Sequence, residues 1–379
     1  MLPPVTSSPA GRDPLGFLKP TAERWPLLLC PLIPIAVVLA LVGAPDVLVF
    51  ACSAIGVIPP AALMGRATEE LAARSGPGIG GLLNVTFGNA PELIIAIFAL
   101  ASGLHEVVKA SLVGSILGNI FLVLGASMLA GGLRRDRQEF SGAAATAQSS
   151  ALMLAVAAVA LPAVYVLAHG DGLPPAAAEL VDYGGGVEQL SLAIAGVLVV
   201  GYAALLLFSL KTHRELFNPP GHEAEATWTA RRAVGMLGLA GLAVAGMSEV
   251  LVHSITGAAR SAGLSQFFIG AVIVAIVGNA AEHWVAVSVA AKNQVDLAVN
   301  IAIGSSSQIA LFAIPVLVLL SPFVGPHPMA LVLNGYELAA LVLAILISVQ
   351  VTSRGKSTWL DGVQLLALYV VTALTFAFA

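Results

Sequence analysis

The feature that most constrains this chain is a succession of apolar runs, each about long enough to cross a bilayer and separated by short polar stretches. A membrane span needs about 20 apolar residues. Eleven such runs can be placed, at 25–46, 47–73, 79–101, 107–130, 145–168, 189–210, 232–257, 266–290, 295–320, 329–351 and 359–378. No water-soluble domain can bury them all. Of the 379 residues, 58% are hydrophobic and 10% charged, against about 25% charged in soluble domains. The expected class is an all-α polytopic membrane protein. A soluble enzyme, a disordered chain and a nucleic-acid binder are excluded, the last because a net charge of −4 leaves no broad basic surface. Cys30 and Cys52 lie in apolar runs and make neither a disulfide framework nor a Cys-type zinc site.

Residues 1–24 are rich in Pro and Ser and read as a cytoplasmic tail. Val42-Gly43-Ala44 imitates a signal-peptide cleavage site, but Pro45 follows directly and the run is nearly span length, so a retained first helix is expected. Pro59-Pro60 is expected to break the second run. With the N-terminus inside, fifteen Lys and Arg fall on the cytoplasmic side and two, Lys109 and Arg260, on the other. Such asymmetry in short loops sets orientation and leaves the C-terminus outside. The segment 169–188 agrees, with Asp171, Glu179, Asp182 and Glu188 and no Lys or Arg.

One stretch occurs twice. Gly88-Asn89-Ala90-Pro91-Glu92 returns as Gly278-Asn279-Ala280-Ala281-Glu282, 190 residues later. The same offset carries Gly114-Ser115 onto Gly304-Ser305 and Glu106 onto Asp296. Thr68-Glu69 is echoed more weakly by Ser248-Glu249. The expected organisation is a leading helix (25–46), a five-helix repeat (47–211), a cytoplasmic linker (212–230) and a second five-helix repeat (231–379). A tandem unit with an odd number of spans inserts the second copy upside down, the plan of secondary transporters with a midplane site.

Glu92 and Glu282 sit in mid-run, where a carboxylate costs at least about 2.5 kcal/mol and usually faces a cavity or an ion path. Asn89 and Asn279 lie three residues earlier, on the same helix face. Gly88 and Gly278 let backbone carbonyls approach or the helix unwind, and Pro91 frees a carbonyl upstream. Ser115, Asn119, Ser305, Ser306, Ser307 and Gln308 add oxygens. Hard cations such as Ca²⁺ take six to eight oxygen ligands, and two carboxylates balance one divalent charge. Once the ion leaves, the pair becomes close like charges whose repulsion protons relieve. One pair can thus hold either ion in turn. His283 is a candidate proton-linked or gating group, and Glu69, Glu70, Glu249 and Ser306 are candidate vestibule or gating residues. Glu106, Lys292 and Asp296, at helix ends, read as solvated loop charges. The linker, with His213, Arg214, Glu215, His222, Glu223 and Glu225, is too mixed in sign to be a strong cation sink.

The segments GNAPELIIAIFAL (88–100) with GSILGNIFLVLG (114–125), and GNAAEHWVAVSVAAKNQVDLA (278–298) with GSSSQIALFAIPVLVL (304–319), resemble the two signatures of the calcium/proton exchangers. ATEELA (67–72), LKTHRELF (210–217) and the segment from Gln138 to Tyr165 are similar to that family as well. The resemblance covers about 50–379. It implies the calcium/cation antiporter superfamily, in its proton-coupled branch, and a fold of one leading helix plus two inverted five-helix repeats. It places the essential acids on Glu92 and Glu282 and polar site positions on Asn89, Asn279, Ser115, Ser305 and Gln308. The expectation is a multi-pass antiporter of a cell inner membrane, exporting Ca²⁺ against protons without a cofactor, as a monomer or a homo-oligomer in the lipid bilayer. Na⁺/H⁺, K⁺/H⁺ or Na⁺/Ca²⁺ exchange on the same fold is the alternative, and a passive channel is a further one. An intramembrane enzyme is disfavoured, since the sequence holds no HExxH and no paired intramembrane Asp.

Overall fold

The computed structural model describes residues 25–176, 181, 183–212 and 226–379. The tail 1–24, Glu179, Asp182 and the linker residues from His213 to Glu225 lie outside the described residues. The described chain is nearly all helix. A 3₁₀ turn (Trp25–Leu29) leads into α1 (Leu32–Leu41), followed by α2 (Asp46–Gly88), α3 (Ala90–Ala101) and α4 (His105–Leu117). A wide π-helical turn (Gly118–Val123) joins α4 to α5 (Leu124–Gly132). Then come α6 (Gly142–Ala168), α7 (Gly185–Leu207) with a π turn at Phe208–Thr212, and α8 (Ala230–Ala262). The short α9 (Gln266–Phe268) enters a π turn (Ile269–Val274) and α10 (Ala275–Ala291). The last helices are α11 (Val295–Gln308), a π turn (Ile309–Ala313), α12 (Ile314–Val324), α13 (Gly335–Arg354) and α14 (Trp359–Ala377). A two-residue antiparallel ladder pairs β1 (Gln138–Glu139) with β2 (Lys356–Ser357), Gln138 opposite Ser357.

Among the described residues nine helical stretches are long and apolar enough to cross a membrane, and Trp25–Leu41 and Ala90–Ala101 are shorter apolar helices. With no water in the hydrocarbon, a spanning backbone must bond within itself, which selects helix. The caps set the ends: Asn334 and Glu337 form a reciprocal capping box on α13, and Thr358 and Asp361 form one on α14.

α2 packs along α8 for much of its length. Asp46, at the start of α2, lies against Gly257 near the end of α8, and Gly56 lies against Met247. Glu70, further along α2, accepts hydrogen bonds from Thr227 and Trp228, just before α8 begins. The two helices are therefore antiparallel. Gly103 beside Pro326 brings the entrance of α4 to the exit of α12. Arg135 donates to the Ala291 carbonyl at 3.5 Å, which brings the exit of α5 to the exit of α10, beside the entrance of α11. The α4–α5 and α11–α12 spans thus run in opposite directions.

Three expectations are corrected. Pro59-Pro60 does not break the second helix, because α2 continues as helix through both prolines, and its packing on α8 holds a backbone that lacks two donors. The turn expected between 73 and 79 lies inside that helical stretch as a sharp bend. A Cβ on Gly80 would stand 2.2 Å from the Ala72 carbonyl, whereas eight straight helical residues would separate them by about 12 Å. The tenth helix starts at Gly335, not at 329, and the preceding Met329–Asn334 is a buried, non-helical strap.

Candidate functional site

At Asn89 the helical backbone is interrupted (φ −93°, ψ 17°) and α3 begins, with Pro91 in its first turn. Pro91 has no N–H to return to the preceding turn. Asn279 lies inside the unbroken α10. The motif residues nonetheless meet reciprocally. A Cβ on Gly88 would stand 3.7 Å from Glu282 Oε1, and one on Gly278 would stand 3.3 Å from Glu92 Cγ. Each glycine makes room for the other copy's glutamate. Glu282 acts electrostatically on Glu92.

Around the two glutamates the structure gathers hydroxyl and amide groups from both copies. Ser305 donates to Glu282 Oε2 at 3.1 Å. Asn89 Nδ2 donates to Gln308 Oε1 at 2.6 Å. Asn279 Nδ2 donates to Ser115 Oγ and to the Ala275 carbonyl, both at 2.9 Å. With both amide nitrogens spent on protein acceptors, the acceptor ends are left over. Glu92 Oε1, Asn89 Oδ1 and Asn279 Oδ1 are buried and receive no hydrogen bond from the described protein. Buried acceptors without donors cost about 1–3 kcal/mol each. Oxygens in this state favour a positively charged occupant, a hard cation or protons. Among the described residues no group of three or more His, Cys, Asp or Glu could hold a metal ion. The donor set is two carboxylates supplemented by amides and hydroxyls, as suits Ca²⁺ better than a soft metal.

The other candidates divide. Asn119 is buried in the π turn and its Nδ2 is unpartnered. His283 brings its Cε1 within 3.8 Å of where a Cβ on Gly118 would be, and its Nε2 is buried without a partner. Glu69 is exposed on α2. Glu70 is instead taken up structurally, accepting from the Thr227 and Trp228 amides at 2.7 and 2.8 Å and from the Thr227 hydroxyl. Nearby, the Arg66 and Arg232 guanidiniums lie 5.1 and 4.8 Å from the Trp228 ring centre. Glu249 is exposed and pairs with His253 at 3.7 Å. Ser306 is buried and bonds back to the Ala302 carbonyl of its own helix. Glu106 is not a solvated loop charge: it is buried and sits 2.7 Å from the equally buried Lys109. Asp296 is exposed, yet it accepts the Ser141 amide.

Sequence reasoning missed Gln148 on α6. Its side-chain amide lies within 3.5–3.7 Å of where a Cβ on Gly304 would stand. Its carbonyl accepts from Ser307 at 2.9 Å, and its Oε1 is buried without a partner. The available signal was a glutamine inside an apolar run, the argument already applied to Gln308.

The profile of the sodium/calcium exchanger protein family matches residues 46–211 and 232–378. The chain belongs to this family. Within it, the chain is 43% identical over 350 residues to the Ca²⁺/H⁺ antiporter ChaA of Bacillus subtilis, covering 91% of this chain and 96% of the relative. It is 42% identical over 350 residues to the Ca²⁺/H⁺ antiporter of Aphanothece halophytica, covering 88% and 91%. Its fold matches the solved structure of native YfkE with a TM-score of 0.78 at 40% identity, over 93% of this chain and 99% of the other. These likenesses, with the nine long apolar helices among the described residues, make the chain an integral membrane protein of that family.

Proposed function

We propose that this chain is a secondary active antiporter that exports Ca²⁺ from the cytoplasm in exchange for protons. The observation that carries the reading is the reciprocal placement of Glu92 against Gly278 and of Glu282 against Gly88, ringed by buried oxygens that lack donors. Relatives at 43% and 42% identity named Ca²⁺/H⁺ antiporters support the choice of ions. Ca²⁺ is the cargo; Glu92 and Glu282 hold it when the site opens inward and take protons when it opens outward. Asn89, Asn279, Ser115, Ser305, Gln308 and carbonyls near Gly88 and Gly278 supply further oxygens, with Asn119 beside them. The chain carries out no covalent chemistry and needs no cofactor.

The nine long and two short apolar helices supply eleven spans, in two inverted repeats behind a leading helix. The antiparallel packing of α2 on α8, and of α4–α5 against α11–α12, supports the inversion. The protein resides in a cell inner membrane, N-terminus in the cytoplasm and C-terminus outside. The test is cation-dependent proton flux in everted vesicles with an acid interior, followed by a pH-sensitive dye. Ca²⁺ is expected to dissipate the gradient and Na⁺ or K⁺ to leave it standing. Dissipation by Na⁺ or K⁺ alone would reassign the cargo on the same site.

A further inference from the structure

The helices α2 and α8 are joined at Trp228, two residues before α8 begins. The Thr227 and Trp228 amides donate to Glu70 of α2, and Arg74 of α2 donates from Nε to the Trp228 carbonyl. The ring is buried beside Ala67 and Ala233, one from each helix. Trp228 is thus fixed by its backbone and by its side chain. Two cations share this one ring: the guanidiniums of Arg66 and Arg232 lie over it, 5.1 and 4.8 Å from its centre. Both arginines are exposed, as are Arg74 and Arg231. An indole face attracts each cation, but the two repel one another.

The start of α8 adds to the excess of positive charge. A helix N-terminus carries partial positive charge and amides without intrahelical acceptors, so acids are favoured there and cations are not. The first turn of α8 nonetheless holds Arg231 and Arg232 and no acid. Against the four arginines stand Glu69 and Glu70, and the oxygens of Glu70 are already engaged by Thr227 and Trp228. Directly below the arginines, α8 turns an apolar strip outward, with Val234 59%, Leu239 58% and Leu242 76% exposed. Val234 and Leu242 lie three and eleven residues beyond Arg231, on its side of the helix. Between them a Cβ on Gly235 or Gly238 would meet nothing within 4 Å, which leaves a shallow furrow. Clustered arginines and a tryptophan at a helix end, above an outward apolar furrow, complement a molecule that is anionic at one end and hydrocarbon at the other.

We propose that this junction of α2 and α8 binds an anionic phospholipid of the cytoplasmic leaflet. Arg66 and Arg232 take the headgroup phosphate, for which the planar guanidinium is well shaped. Arg231 and the first-turn amides of α8 add to the field, and an acyl chain lies along Val234 and Leu242. The furrow favours a lipid over free phosphate, which has nothing to place there. The choice of leaflet rests on the orientation proposed above. The site itself stands whichever ion the chain exchanges.

The test uses the full chain with Trp25, Trp284 and Trp359 replaced by Phe, so that Trp228 is the reporter. It is reconstituted in phosphatidylcholine vesicles containing a minor share of either phosphatidylglycerol or phosphatidylcholine brominated near the top of the acyl chains. Quenching of Trp228 by the brominated phosphatidylglycerol is expected to show at least about a 5-fold preference over brominated phosphatidylcholine, and the preference is expected to fall to about 1 in Arg66→Gln/Arg232→Gln. Inorganic phosphate, compared with chloride at equal ionic strength, is expected to leave the preference unchanged. Should the triple Phe chain fail to fold, the unfolding temperature of the intact chain in mixed micelles of the same two lipids carries the comparison, with the rise given by phosphatidylglycerol lost in the arginine variants. Should the double arginine variant fail, Arg66→Gln and Arg232→Gln singly are each expected to lower the preference. Equal association with both lipids, or a preference that survives the arginine substitutions, overturns the proposal. A preference abolished by inorganic phosphate assigns the site to free anions instead, and one that emerges only in Glu223→Gln/Glu225→Gln assigns it to the chain's own linker; either overturns the lipid. Proton flux is read separately, since its loss bears on the exchange assignment and not on this site.

Discussion

At Asn89 the helical backbone stops and restarts, whereas at Asn279, in the same repeated motif, it runs on. The sequence difference behind this is one residue, Pro91 against Ala281. Proline removes the amide that would close the turn around Asn89; alanine keeps it. The irregularity of the second copy lies upstream, in the π turn Ile269–Val274, where the backbone passes so close to α4 that a Cβ on Gly114 would stand 2.0 Å from the Ala271 carbonyl. The hydrogen bonds diverge too. Asn279 bonds Ser115, but Asn89 bonds Gln308, which frees Ser305 for Glu282. A duplicated motif can thus keep its acids in reciprocal positions while the polar groups around them are wired differently.

The sharpest way to break this comparison is to remove the acids one at a time. Glu92→Gln and Glu282→Gln are each expected to lower Ca²⁺-driven proton flux by roughly 100-fold or more, the scale of a lost charged ligand, with insertion unchanged by membrane immunoblot. Flux retained in one variant would make the half-sites independent. Next comes the glycine pair Gly114 and Gly304. Gly114→Ala meets backbone and is expected to destabilise by about 1–3 kcal/mol, as overpacking does. Gly304→Ala, whose Cβ would stand 3.5 Å from the Gln148 amide, is expected to cost less than about 0.5 kcal/mol. Thermal unfolding in detergent reads both. Asn89→Ala and Gln308→Ala break one shared bond and are expected to raise the KM for Ca²⁺ similarly, by about 5-fold for roughly 1 kcal/mol. The double variant is then expected to be little worse than either single one. The smallest effect is reserved for Pro91→Ala. It returns the missing amide and is expected to slow hydrogen exchange around Asn89 by several-fold, making the first copy resemble the second.

Much of this was legible in the sequence, for identifiable reasons. Apolar runs report spans because the bilayer admits little else, and α8, the α9–α10 stretch (266–291) and α14 begin and end within about five residues of their expected bounds. The two glutamates were legible because a carboxylate in an apolar run needs a reason, and the repeated motif supplied one. Pro59-Pro60 misled because proline is a strong breaker in water, while a helix packed against a neighbour in a membrane tolerates it. Glu106 misled for the opposite reason: its position near a helix end looked wet, although Lys109 stands three residues on and the pair could be buried together. The start of α13 was misplaced because apolar composition registers burial alike in helix and in strap, and Met329–Leu333 is buried without being helical. Gln148 was within reach, as one amide in an apolar run no less conspicuous than Gln308.

The wide turns at Gly118–Val123 and Ile309–Ala313 each accommodate one residue more than an ordinary α-helical turn, and this makes chain length a determinant in its own right. Deleting a single residue such as Ile120 would let the first wide turn close up as plain α-helix with the faces beyond it little changed, because the wide turn had already absorbed that residue. The regular stretch Leu124–Gly132, which packs against α14, has no such slack, and one residue lost there would turn everything beyond it by about 100°. A homologue one codon shorter could thus keep the right side of the helix in oil or lose it, according to which side of Leu124 the codon went missing.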